Sequence, residues 1–232
     1  MRVLITGSRK GIGRFLSEVF LSRGHTVIGC SRDVSDLEHD LYDHFICDVS
    51  DESSVIKMIR ETGKKHGGVD ILINNAGVAS MNHILSTPIS SIRKLFDTNM
   101  IGTALFSREV AKLMMRRKIK GKIINFTTVA SALSLEGEAA YASSKAAVQK
   151  FTQIAAKEFA NFGITVNCIG PNPIATDLIK SVPKDKIDQL IESQAIKRLG
   201  SNEDVLNVID FFIADSSDFV TAQTIYLGGV HD

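Results

Sequence analysis

Short apolar runs alternate with longer amphipathic stretches along the whole chain. The runs at 2–6, 26–30, 43–47, 70–74, 122–127, 164–169 and 223–227 draw on Val, Ile, Leu, Thr and aromatic residues, the types favoured in strands. They read as strands, and the near-continuous apolar character of Val3, Leu4 and Ile5 is that of a strand buried on both faces. Between them, apolar positions recur at helical spacing over 12–23, 52–66, 91–117, 140–161, 176–193 and 203–214. In the first, Ile12, Leu16, Val19 and Phe20 share a face; in the third, Leu95, Phe96, Met100, Leu113 and Met114 supply core contacts. In the fourth, Val148, Phe151, Ala155 and Phe159 line one side, while Tyr141, Lys145 and small residues occupy the next. Strand and helix in strict alternation predict a parallel sheet with helices on both faces. The second crossover is short: DVSDLEHDLYDH, between Arg32 and Phe45, leaves room for a turn or two of helix.

The 232 residues, 44% hydrophobic and 23% charged, suit one α/β domain spanning 1–232, and neither a repeat nor a linker divides them. A net charge of +1 gives no reason to expect nucleic acid or an anionic membrane as a partner. No apolar stretch is long enough to span a bilayer, and a strand begins at once with no secretory leader ahead of it. Cys30, Cys47 and Cys168 lie scattered in predicted strands and read as small buried residues of a reducing, cytoplasmic compartment. The basic run Arg116, Arg117, Lys118, Lys120 and Lys122 reads as a solvated helix exit, with cations against the negative end of the helix. A docking patch for nucleic acid or an acyl-carrier protein is the alternative. His39 and His44, with Asp40 and Asp43, read as a polar loop.

Two local patterns carry chemistry. The first is VLITGSRKGIGR at 3–14, in which Gly7, Gly11 and Gly13 punctuate a strand-to-helix turn. Such a turn lets backbone N–H groups approach a pyrophosphate at the positive end of a helix. It is not a Walker A loop, because no G-x-x-x-x-G-K-[ST] occurs. The second is YASSK, which sets Tyr141 and Lys145 one helical turn apart, with Thr128 thirteen residues upstream. An ammonium beside a phenol favours phenolate and makes a general acid/base suited to an alcohol or carbonyl oxygen.

Together these residues resemble the short-chain dehydrogenase/reductase family. The landmarks run in the family's order over nearly the whole chain: T-G-x-x-x-G-x-G at 6–13, C-D-V at 47–49, N-N-A-G at 74–77, Asn99, Thr128, Tyr141 with Lys145, and IGPNPIATDL at 169–178. The resemblance implies a Rossmann-type, doubly wound, seven-stranded sheet in the order 3-2-1-4-5-6-7. It also implies a substrate lid over 172–195, and a homodimer or homotetramer built on the helices 91–117 and 140–161.

For the cofactor, the resemblance implies a nicotinamide dinucleotide. Gly7, Ser8, Gly11, Ile12 and Gly13 would hold the phosphates. Asp48 and Val49 would meet the adenine; Asn75, Ala76 and Gly77 would line the ribose. Pro171, Ile174 and Thr176 would contact the nicotinamide and phosphates. The second strand ends in Ser31 and Arg32 where an acidic residue would select NAD, and with Arg9 and Lys10 they form a basic pocket suited to the 2′-phosphate of NADP. Asp33 follows directly, and the other reading of this corner is a solvated Arg–Asp pair. The expected cofactor is NADP(H), ahead of NAD(H).

For the reaction, the resemblance implies that Tyr141 protonates a carbonyl oxygen and Lys145 lowers the tyrosine pKa and holds the nicotinamide ribose. Asn99 would place a water for proton supply, and Thr128 would hydrogen-bond the substrate oxygen. Two positions depart from the family: Thr128 stands where serine is usual, and Pro171-Asn172-Pro173 replaces Pro-Gly. Threonine keeps the hydroxyl but adds a methyl. Asn172 precedes a proline and is pushed toward extended backbone, so the loop should differ in shape. The expected substrate is a small carbonyl or alcohol, a 3-oxoacyl thioester first and a sugar, polyol or other small ketone next. Ile174, Leu178 and Ile179 favour an apolar or acyl group. A regulatory NADP(H)-binding protein with little turnover is the reading from another class.

Overall fold

The structure, a computed structural model, describes residues 1–174 and 184–230. Seven parallel strands form one sheet in the order β3-β2-β1-β4-β5-β6-β7. They are β1 Arg2–Thr6, β2 Thr26–Ser31, β3 Tyr42–Ile46, β4 Ile71–Asn74, β5 Lys122–Phe126, β6 Thr165–Gly170 and β7 Thr224–Tyr226. The helices are α1 Gly11–Ser22, α2 Glu52–Lys65, α3 Ile89–Phe96, α4 Gly102–Arg117, α5 Val129–Leu133, α6 Ala139–Phe159, α7 Lys184–Ser193 and α8 Asn202–Ile213.

Strand alternation divides the core in two. Leu4, Ile28, Leu72 and Val166 point to the face covered by α2, α4 and α6, where Val55, Phe106 and Ala155 meet them. Val3, Ile5, Ile73 and Ile124 point to the other face and pack with Leu16 and Phe20 of α1 and Ile209 and Phe212 of α8. Burial on both faces is why the central strands β1 and β4 read as short apolar runs, whereas the edge strand β3 is only partly buried and carries Asp43 and His44. The strand order turns at the β1–β4 pair, which opens a crevice at the C-terminal ends of the strands. No helix among the described residues is long and apolar enough to cross a membrane.

Three elements differ from the pattern-based expectation. The β2–β3 connection contains no helix at all. The amphipathic stretch 91–117 is not one α-helix: α3 passes into a π-turn at Asp97–Ile101 before α4 begins. A further short helix, α5, forms directly after the Thr128 position. The expected helix 176–193 is described from Lys184, and Thr176, Leu178 and Ile179 lie outside the described residues. The three cysteines are free and buried, with Cys47 one residue beyond β3.

Candidate active site

The glycine-rich turn leaves β1 and opens α1. Gly7 adopts φ +69°, a left-handed conformation open to glycine at little cost, and its N–H donates to the Cys30 carbonyl at 2.8 Å. A Cβ on Gly13 would collide with the Gly7 carbonyl, so the helix can begin against the turn only with glycine there. The N-cap of α1, Lys10, makes no side-chain cap, and the first turn carries no acid. An uncapped helix start above a glycine cradle fits an anionic pyrophosphate. Ser8 differs from the expectation: it is fully buried, its hydroxyl 3.0 Å from that of Tyr42, so its side chain faces the core.

Arg9, Lys10 and Arg32 are exposed around the end of β2. Arg9, rather than Arg32, pairs with Asp33, at 2.9 Å. The Ser31 hydroxyl donates to the Asp33 carbonyl at 2.7 Å and lies 2.9 Å from His44 Nε2. Asp48 caps its own turn, accepting from the Ser50 N–H at 2.9 Å and the Ser50 hydroxyl at 2.6 Å. Those hydroxyl and amide donors, with Arg32 nearby, hold its carboxyl below the usual range. The cap of α2 is Asp51. Val49 is buried against Gly102.

At the end of β4, Asn75 donates to the carbonyls of Thr6 and Gly7, at 3.0 and 3.2 Å, and locks the glycine turn to the N-N-A-G segment. The Ala76 N–H donates to the Thr6 hydroxyl at 3.0 Å. A Cβ on Gly77 would lie 3.3 Å from Asn99 Oδ1 and 3.4 Å from Lys145 Nζ, so this backbone meets both side chains. Asn99 is fully buried in the π-turn and spends its whole amide within the protein. It accepts from the Val78 N–H and donates to the Val78 carbonyl and the Ser144 hydroxyl, each at 2.9 Å.

Tyr141 and Lys145 share the first turns of α6, as their spacing predicts. Lys145 Nζ donates to the Phe126 carbonyl at 2.9 Å, and burial pushes its ammonium down to about 8. Burial pushes the Tyr141 phenol up to about 12; Thr128 opposes that shift and the Glu138 charge adds to it. Here the structure departs from the sequence-based expectation. Desolvation outweighs everything else at the phenol, and the group favouring phenolate is the Thr128 hydroxyl, with the Lys145 amine turned to a backbone carbonyl. Thr127, the neighbouring hydroxyl, is committed to the Lys145 carbonyl at 3.0 Å.

A cavity of about 330 Å³ opens between these groups and α7, and Ile12, Thr128, Tyr141, Pro171 and Ile174 all line it. Two polar features escaped the sequence reading. Glu138 also lines the cavity; the acid three residues before the tyrosine is visible in GEAAY, but only packing turns it inward. Asn172, which keeps a negative φ as its following proline demands, is buried and donates to Gln194 Oε1 at 2.7 Å. That contact ties the P-N-P loop to the residue following α7.

A glycine turn at the point where the strand order reverses, beside a cavity lined by the Thr128 hydroxyl and the Tyr141 phenol, defines the class: a Rossmann-type oxidoreductase. The chain belongs to the short-chain dehydrogenase/reductase family. The family model described as enoyl-(acyl carrier protein) reductase matches residues 7–231. The 3-oxoacyl-[acyl-carrier-protein] reductase FabG of Staphylococcus epidermidis is 32% identical, over 97% of this chain and 96% of the relative. Its counterpart from Escherichia coli is 29% identical over 97% and 95%. Among solved structures, 4-hydroxyisoleucine dehydrogenase complexed with NADH superposes with a TM-score of 0.88 at 28% identity, covering 98% of this chain and 97% of that one. ElxO with NADP bound gives 0.88 at 29%, covering 97% and 96%.

Proposed function

We propose that the protein is an NADP(H)-dependent oxidoreductase interconverting a carbonyl and a secondary alcohol, with Tyr141 as acid and base. The observation that carries this reading is the convergence of Thr128, Tyr141 and Pro171 on one cavity, with Lys145 buried behind it. A nicotinamide held beside Pro171 and Lys145 would supply the hydride for reduction. Tyr141 gives its phenolic proton to the carbonyl oxygen, and the Thr128 hydroxyl donates to the same oxygen as charge develops. Lys145 holds the cofactor ribose. Asn99 fixes the Val78 backbone against α6, so that this arrangement needs no movement at the moment of reaction.

Arg32, Lys10 and Arg9 support the choice of NADP(H), since all three are exposed around the end of β2. The named activity of the FabG relatives supports 3-oxoacyl thioesters as one substrate class to assay, with small ketones and keto-sugars beside them. Half-exposed Ile101, Met115 and Ile154 on the π-turn, α4 and α6 support self-association as a dimer or tetramer. The buried free thiols suit a reducing cytoplasm.

The test is oxidation of NADPH and of NADH by the purified protein with a 3-oxoacyl thioester, a diketone and a keto-sugar, against Tyr141→Phe. The expected result is turnover that prefers NADPH and falls by at least about 10²-fold in the variant. Tight NADPH binding with a carbonyl-independent rate, unchanged in Tyr141→Phe, would instead mark a nucleotide-binding regulator.

A further inference from the structure

Glu138 is the group in the cavity that this reaction leaves unused. It stands at the N-cap of α6, where its carbonyl accepts from the Ala142 N–H at 2.7 Å while its side chain caps nothing. The side chain instead lines the cavity that Thr128 and Tyr141 line. One carboxylate oxygen, Oε2, is sealed from solvent with no hydrogen-bond partner. Burial pushes the carboxyl up from its ordinary range. Oε2 is closed to a ligand as it is to water, so the other carboxylate oxygen is the acceptor left to meet a donor in the cavity. The other charged residues of the cavity, Glu136 and Lys186, do not satisfy Oε2.

Glu138 stands just before the first residue of α6 and Tyr141 is its third, and both line the one cavity, so a ligand whose carbonyl meets the phenol has the carboxyl beside it. We propose that Glu138 sets substrate specificity by accepting a hydrogen bond from a donor, a hydroxyl or an ammonium, on the carbon next to the reacting carbonyl. The inference rests on the carbonyl-reductase reading of the same site. It favours hydroxy- and amino-ketones over 3-oxoacyl thioesters, which carry no donor on that carbon.

The experiment compares kcat/KM for NADPH-driven reduction of 3-hydroxy-2-butanone, 3-amino-2-butanone and 2-butanone, in the native protein, Glu138→Gln and Glu138→Leu. An acetoacetyl thioester serves as a fourth substrate, and each variant is first checked for NADPH binding. The native protein should favour at least one donor-bearing ketone over 2-butanone by about tenfold or more. Glu138→Leu should bring that ratio near one. Glu138→Gln, whose amide oxygen still accepts, should keep more of the hydroxyl preference than of the ammonium preference. Reduction of 2-butanone or the thioester at a rate matching or exceeding the donor-bearing ketones overturns the proposal, as does a ratio untouched in Glu138→Leu. Absence of turnover on all four substrates refutes the reductase reading itself and takes the inference with it.

Discussion

Thr128 carries two contacts with one hydroxyl. Its oxygen accepts from the Ala130 N–H at 3.3 Å, capping α5, and its side chain favours the phenolate of Tyr141. With the oxygen accepting on one side, the single proton is free for the phenol or the substrate oxygen. Thr128→Val keeps the shape and removes that proton. Loss of a donor to the charged form raises a phenol's pKa, so Tyr141 should titrate above its present value of about 12. A tyrosinate absorbance titration, differenced against Tyr141→Phe, reads that shift. Turnover should fall about 10²-fold, the usual cost of one oxyanion donor, whereas Thr128→Ser should stay within a few-fold. A Thr128→Val protein with native kcat would place the oxyanion donor elsewhere. The identities of these residues were legible because Tyr141 and Lys145 lie one turn apart on a helix and Thr128 ends a strand. Their charge balance was not. It depends on how deeply the fold buries the phenol and on the Phe126 carbonyl reaching Lys145 first.

Between α3 and α4, the chain inserts a π-turn whose purpose is local: it carries the buried Asn99 to the Val78 backbone and the Ser144 hydroxyl. Thr103 closes the widened turn by donating to the Asn99 carbonyl at 2.7 Å. Periodicity over 91–117 cannot reveal such an insertion, because one looser turn barely disturbs the apolar stripe. The central strands were easier to read, since burial on both sheet faces writes itself as Val3-Leu4-Ile5 in β1 and Ile71-Leu72-Ile73 in β4. The β2–β3 crossover was harder, because its polar composition allowed a helical turn that nothing packs against. Asn99→Ala should leave the Val78 N–H and carbonyl unpaired in a partly buried position. At about 1–3 kcal/mol for each such group, unfolding should shift by about 3 kcal/mol, and the melting temperature by roughly 6–12 °C for a chain of this size. Because Gly77 sits between Asn99 and Lys145, cofactor affinity should weaken as well. Calorimetry with and without NADPH separates the two effects; an Asn99→Ala protein with native stability would mean that Val78 finds other partners.

At the scale of the molecule, the cofactor crevice is the place where the two halves of the sheet are joined, and ligand binding there should act on the whole fold. Asn75 already bonds β4 to the turn after β1, and Ala76 bonds to Thr6. A ligand laid along this seam binds only the folded chain, so it stabilises by RT ln(1 + [L]/Kd), about 2.7 kcal/mol at a hundredfold excess over Kd. For a domain of this size that is a rise of roughly 5–10 °C in melting temperature. The basic corner decides which dinucleotide gives the larger rise. NADPH at a fixed concentration should raise the melting temperature more than NADH, because Arg32 can clasp a 2′-phosphate in its planar fork while Arg9 is held by Asp33. Arg32→Ala should shrink the NADPH shift toward the NADH shift and leave the latter nearly unchanged. Asp33→Asn frees Arg9 and should move the NADPH shift the opposite way. Equal shifts for the two dinucleotides in the native protein, or an Arg32→Ala variant that loses both alike, would assign the corner to a general structural role and return the cofactor preference to NAD(H).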